Sequence, residues 1–204
     1  METILIYDTE TTGLPLFDKP SDHPGQPHIT QIAAELCDEE SGHVLASMNF
    51  LIKPEGWTIS EEITTLTGIT DQEANDYGMP ISSVLPFFMT MWKQCTKRVA
   101  HNESFDMRMV RIELMRDKIF SSITADAWKA GPAFCTCTTS KDIVKLPPTE
   151  RMRASGRNGY KQPNLSEAYK RRPPLTKSGV ERLKDKSYTK KLKGTYTESV
   201  LKRM

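Results

Sequence analysis

Residues 4–14 read Ile4-Leu5-Ile6-Tyr7-Asp8-Thr9-Glu10-Thr11-Thr12-Gly13-Leu14, an apolar run closed by two carboxylates one residue apart and a glycine turn. Side chains alternate faces along a strand, so Asp8 and Glu10 share one face about 7 Å apart. A carboxylate pair at the end of a buried strand repels itself unless a cation compensates it. The economical reading is a divalent-metal site, and an all-oxygen donor set suits magnesium or manganese better than zinc. The plain alternative is a strand running into a polar loop, where Asp, Thr and Gly are ordinary turn residues.

The chain beyond this strand has the pattern of a mixed α/β sheet. Pro15, Pro20, Pro24, Gly25 and Pro27 exclude regular structure from 15–28. His28–Cys37 and His43–Ile52 read as two further strands joined by a short acidic turn, so the first three strands form an antiparallel meander. Helical character begins at Ser60 and again at Asp71. Over 81–94, Val84, Leu85, Phe88, Met91 and Trp92 fall at helical spacing and belong to a core. Lys97–Ala100 is a short strand leading into His101-Asn102-Glu103-Ser104-Phe105-Asp106. Ser104 is expected to cap a helix through about Asp117, with Phe105, Met109, Ile112, Leu114 and Met115 inward. Strands alternating with helices after an antiparallel start imply a sheet that turns parallel and is flanked by helices. Residues 145–163, rich in Pro, Gly and Arg, read as a mobile loop, and Asn164 opens another helix that Pro173-Pro174 stops.

Charge divides this 204-residue chain unevenly. Residues 1–169 carry 16 Lys and Arg against 23 Asp and Glu, whereas 170–204 carry 12 against 3. A shift of that size predicts a boundary, with a domain over 1–170 and a basic, irregular or replaced tail over 171–204. Lys190, Lys191, Lys193, Lys202 and Arg203 of the tail offer sequence-independent phosphate contacts, or else belong to a solvated, disordered terminus. Cys37, Cys95, Cys135 and Cys137 lack the paired spacing of a structural zinc site and read as ordinary thiols. Without a signal-peptide pattern or a run of roughly 18 apolar residues, the expectation is a soluble protein of the cytoplasm, or of the host cytoplasm if phage-encoded, with no membrane partner.

Three stretches carry a resemblance. Asp8-Thr9-Glu10-Thr11-Thr12-Gly13-Leu14, then Leu66-Thr67-Gly68-Ile69-Thr70, then His101-Asn102-Glu103-Ser104-Phe105-Asp106 resemble, in that order, the DnaQ-like (DEDD) 3′-to-5′ exonucleases. Gly159–Tyr169 is similar to the stretch leading into the last helices of phage-type members. The resemblance covers about residues 3–170 and implies a ribonuclease-H-like fold. It implies that Asp8, Glu10 and Asp106 bind two Mg²⁺ or Mn²⁺ ions. In such a site, cations roughly 4 Å apart hold an attacking hydroxide and stabilise the leaving 3′ oxygen. It further implies that Thr11 and Thr12 offer backbone N–H or hydroxyl groups to a terminal nucleotide, and that Leu14 wedges against its base. His101 and Asn102 are expected to shape the loop after the strand, and Phe105 to sit in the core. Leu66–Thr70 reads either as a glycine helix terminus or as a segment near the nucleic-acid groove.

The chain departs from the family at its third motif, a His or Tyr four or five residues before a last Asp. No histidine follows His101, and Asp185 in Leu183-Lys184-Asp185-Lys186 has no His or Tyr at that distance before it. Tyr160, Tyr169, Tyr188 and Tyr196 are not followed by Asp at that spacing. The break after Tyr169 suggests a last helix replaced by a substituted or frameshifted C-terminus, and nothing in the spacing of Asp126 or Asp142 makes either a substitute ligand. Losing a general base costs about 10²- to 10⁴-fold in rate.

Two readings from different classes result. One is a metal-dependent 3′-to-5′ exonuclease acting on single-stranded DNA or RNA ends, alone or with a polymerase or replication complex. The other is a catalytically impaired module that binds nucleic-acid ends or a replication partner without turnover. A phosphatase with Asp8 as nucleophile is disfavoured, because such sites want Asp at position 10.

Overall fold

The computed structural model describes residues 2–116 and 119–170. The chain divides into two compact units after Thr136. The first is built on a five-stranded sheet of order β3-β2-β1-β4-β5. Its strands are β1 (Thr3–Thr11), β2 (Ile29–Asp38), β3 (Val44–Leu51), β4 (Lys97–Ala100) and β5 (Ala133–Cys135). β1 pairs antiparallel with β2, and β2 antiparallel with β3, whereas β1–β4 and β4–β5 are parallel. The meander and the change to parallel pairing match the sequence expectation.

Register sorts the side chains. Leu5, Tyr7 and Thr9 lie opposite Leu36, Ala34 and Ile32, and all six are buried. Asp8 and Glu10 therefore point to the other face, opposite Ala33 and Gln31. Against the buried face pack α3 (Ile81–Trp92), α4 (Glu103–Arg116) and α5 (Ser122–Ala130). The rings of Tyr7, Phe88 and Trp92 each meet another aromatic edge-on, and Trp128 joins all three at centroid distances of 5.4–5.5 Å. That geometry suits the ring quadrupoles as well as the packing.

A smaller core of Ile59, Ile69 and Ala74 holds α1 (Glu61–Thr67) and α2 (Asp71–Tyr77). Leu66–Thr70 is the junction between them. Gly68, at φ 71°, closes α1 by donating its N–H to Thr64 O, and Thr70 opens α2 in a capping box with Glu73. Of the two sequence readings of this segment, the structure supplies the glycine terminus, while leaving Leu66 71% exposed.

The second unit contains α7 (Glu150–Ala154), α8 (Leu165–Lys170) and nearly all of α6 (Thr136–Val144). Residues 145–163 are not simply loop: Thr149 caps α7 by accepting from Met152 N, and Lys161 N donates to Leu146 O across the excursion. Asn164 and Glu167 cap α8 reciprocally, each side chain accepting the other's backbone N–H. The Pro173-Pro174 stop, the tail's phosphate contacts and the replaced last helix lie outside the described residues. Among the described residues no helix is long and apolar enough to cross a membrane.

Two expectations need correction. Ser104 does not cap α4; the helix already includes Glu103, and the chain enters it through Asn102, held at φ 71° with its carbonyl accepting from Phe105 N. The sequence reading also contains no α5, β5 or α6. Ser121 capping Thr124 N, buried Ala125 and Trp128 three residues apart, and Gly131-Pro132 afterwards are the signals that α5 offers.

Candidate active site

The site lies at the carboxyl ends of β1 and β4, where the sheet changes from antiparallel to parallel. Ligand sites of α/β sheets favour such a switch point, because loops leaving adjacent strands diverge and open a crevice there. β4 pairs with β1 only as far as Ile6. Beyond it the β1 edge is open, and the Thr9 N–H, freed from the ladder, donates instead to Asp106 Oδ1 at 3.0 Å. The Thr9 hydroxyl donates to the same oxygen at 2.8 Å. Asp106 is buried, on the first turn of α4, where the helix dipole favours its negative form.

The start of α4 is fixed from below. Arg98 on β4, 2% exposed, donates through Nε to Glu103 Oε1 and through its guanidinium nitrogens to the carbonyls of Trp128 and Lys129. Its Cζ sits 4.5 Å from the Trp128 ring centroid. The Tyr7 hydroxyl donates to the same Glu103 oxygen at 3.1 Å. Burial, then the Glu103 charge, push the Tyr7 phenol well above its usual range, so it remains a donor.

Electrostatics single out Asp8 and Asp106. Burial around its carboxyl raises Asp8 to about 6 although the residue as a whole is exposed at the surface, and the Thr9 N–H opposes the rise only in part. Asp106 is raised well above the carboxylate range, first by burial and next by the charge of Asp8; its bonds from Thr9 pull the other way. Among the described residues, no Lys or Arg acts to lower either of these two mutually repelling acids. This donor set fits a hard divalent cation. Glu10 shares the Asp8 face of β1 by alternation and lies opposite Gln31. The described side chains do not themselves close a group of three His, Cys, Asp or Glu residues around one point.

The other sequence candidates lie in these settings. The buried Thr11 donates its hydroxyl to Gly13 O, and the Thr12 hydroxyl accepts from His28 N while Thr12 N donates to His28 O. Both hydroxyls thus lace the chain as it leaves the strand. Leu14 is 75% exposed. His101 bonds through Nδ1 to Thr136 Oγ1, in keeping with a loop-shaping role. Asp126 is paired with Arg111 on α4.

Sequence reasoning misses Thr9, Glu103 and the residues that anchor the proline-rich loop 15–28. Gln26 binds Leu16 N, Leu16 O and Pro20 O; Arg108 reaches the carbonyls of Leu16 and Lys19; Arg116 reaches those of Gln26 and Pro27. Arg116 also donates to Glu113 and to His28 Nδ1. Burial, then Arg116, depress His28 to about 4, so the ring is neutral at pH 7 and its 3.8 Å approach to Glu113 is not a charge pair. It stacks on Trp57 with centroids 4.7 Å apart. The only sequence signal for this clamp is the spacing of Arg108, Arg111 and Arg116 along one helix.

A family model described as exonuclease, RNase_T, matches residues 5–157. The chain belongs to this family, the DnaQ-like exonucleases of ribonuclease-H-like fold. It is 31% identical over 115 residues to the PolC-type DNA polymerase III of Lactococcus lactis subsp. lactis (strain IL1403), a match spanning 56% of this chain and 6% of that one. E. coli Exonuclease I in complex with a 5cy-dA13 oligonucleotide superposes with a TM-score of 0.58 at 17% identity, covering 94% of this chain and 45% of the other. The zinc-bound form of the E. coli Exonuclease I–ssDNA complex gives 0.56 at 17%, covering 99% and 45%. The chain therefore spans less than half of these Exonuclease I chains and a small fraction of the polymerase.

Proposed function

We propose that this chain is a metal-dependent 3′-to-5′ exonuclease that hydrolyses the terminal phosphodiester bond of single-stranded DNA or RNA. The observation that carries the reading is the Asp106 carboxylate turned onto Thr9 beside Asp8, both acids raised by burial. Asp8, Glu10 and Asp106 would hold Mg²⁺ or Mn²⁺, which when bound supplies a nucleophilic hydroxide and neutralises charge on the phosphoryl oxygens. Thr9 occupies Oδ1 of Asp106 and so restricts that side chain to one orientation. Leu14, exposed after the Gly13 turn, meets the terminal base, and the Thr11 and Thr12 backbones approach the terminal nucleotide. The likeness to a PolC-type polymerase supports a replication setting for the activity, and the Exonuclease I complexes support a single-stranded substrate.

A second reading, an impaired module that binds ends without turnover, is favoured by one specific observation: after Asp106 no His or Tyr precedes an Asp at the third-motif spacing. The test is a 5′-labelled single-stranded oligonucleotide incubated with Mg²⁺ or Mn²⁺. A ladder shortened from the 3′ end, absent with Asp8→Ala and blocked by a 3′-terminal phosphorothioate, supports the enzyme. No shortening by the wild type under either metal refutes it in favour of the module.

A further inference from the structure

The first unit is poorly suited to attract a polyanion. Residues 1–136 carry 10 Lys and Arg against 20 Asp and Glu. Of its described cations, Lys19, Lys97, Arg98, Arg111 and Arg116 are each paired with a carboxylate, and Arg108 is spent on loop carbonyls. The excursion between α6 and α8 is its opposite. Residues 145–161 carry five Lys and Arg against one acid, Glu150. Among the described residues only Lys161 of these has a carboxylate partner, Glu167.

The excursion is also preorganised. α7 ends at a turn in which Gly156, at φ +74°, lets Arg157 N return to Met152 O while Gly156 N donates to Arg153 O. That reversal brings Arg157 back toward α7, with Arg151, Arg153 and Arg157 all exposed. Arg153 Nη1 is held by Pro148 O at 2.7 Å and Arg157 Nε by Ser155 Oγ at 3.0 Å, so part of the ordering cost is met before any ligand arrives. Tyr160, 42% exposed, comes three residues later. Three exposed guanidiniums on and just after a short helix, with an exposed aromatic three residues further along the chain, match what a flexible single strand offers: closely spaced phosphates and bases with free π faces.

We propose that Arg151, Arg153 and Arg157 form a phosphate-binding surface for single-stranded nucleic acid, with Tyr160 as a base-stacking platform. The proposal rests on the nuclease reading for its choice of nucleic acid over other polyanions. Its test is independent of cleavage. Binding of a fluorescent single-stranded oligonucleotide is measured by anisotropy in EDTA across a salt series. Each phosphate neutralised on a single strand contributes about −0.7 to the slope of log K against log salt. The triple variant R151A/R153A/R157A should flatten the slope by about 2, with an unchanged melting temperature, and R151K/R153K/R157K should restore it. Tyr160→Ala should weaken binding about tenfold without altering the slope.

A slope unchanged in the alanine triple variant overturns the proposal. So does an equally steep slope for polyglutamate, because the surface would then read charge rather than a nucleic-acid backbone. Asp8→Ala should keep the wild-type slope. If the wild type shows the slope and its arginine dependence but no ladder, the surface stands and the enzyme reading falls.

Discussion

Glu103 is the most informative position to perturb, because it closes the buried cluster beneath Asp106. In Glu103→Gln the shape and one acceptor remain, but the Arg98 guanidinium loses its carboxylate counter-charge while staying 2% exposed. Removing one partner of a buried pair costs about 3–5 kcal/mol. The carbonyls of Trp128 and Lys129 and the Trp128 ring still hold Arg98, which places the glutamine variant at the lower end, about 3 kcal/mol. A domain of this size loses about 2–4 °C per kcal/mol, so the melting temperature should fall by about 6–12 °C. Urea denaturation should show the same loss with an unchanged m-value. The double variant Arg98→Met/Glu103→Leu, which removes both charges, should recover most of the stability. Glu103 stands one helical turn before Asp106, so Glu103→Gln should also weaken Mn²⁺ binding. A loss below about 1 kcal/mol for Glu103→Gln, or a double variant no better than the single, would refute the account of a buried pair holding the helix start.

Two further predictions concern the carboxylates. In metal-free protein the folded Asp8 titrates near 6 against 3.8 for an ordinary aspartate, so between those values the folded state binds more protons than the unfolded one. Its contribution to stability is therefore lost as pH rises from about 4 to about 6, and Asp106 acts in the same direction. Melting curves in EDTA should show Asp8→Asn matching the wild type near pH 4 and exceeding it above pH 6; wild type and variant that stay parallel across the range would contradict this. Saturating Mn²⁺ at pH 7 should reverse the order, since the cation requires the ionised pair. Thr9→Val keeps the backbone bond to Asp106 and deletes the hydroxyl bond, so Mn²⁺ affinity measured by electron paramagnetic resonance should fall by about tenfold and return in Thr9→Ser. Equal affinity in all three proteins would remove Thr9 from the site.

Much of the sheet is legible in the sequence because its signals are local. Alternation in 29–38 and 44–51, the short acidic turn between them and the apolar start of β1 each depend on neighbours a few residues away. The weak spots are short or interrupted elements. β5 has three residues, too few for any period to register, and its place at the sheet edge comes from pairing with β4. α7 is hidden among breakers and arginines, yet one threonine cap and a left-handed glycine suffice to form it. The start of α4 is misplaced by sequence because Ser104 is a good cap by type, whereas the backbone reverses at Asn102.

The sequence by itself determined that Asp8 and Glu10 share a strand face, that Asp106 begins a helix, and which family motifs they belong to, since these depend on spacing and residue type. Only the tertiary structure decided what surrounds them. β4 stops pairing with β1 after Ile6, and this frees the Thr9 amide for a side chain 97 residues away. The crossover that brings α4 over the open edge sets Asp106 near Asp8; burial raises both acids, and the Asp8 charge raises Asp106 further. Arg98 and Glu103 look like surface charges in the chain, and become buried partners because the packing of α4 and α5 leaves water little access to them. Desolvation is a property of the assembled layers, and no window of sequence contains it.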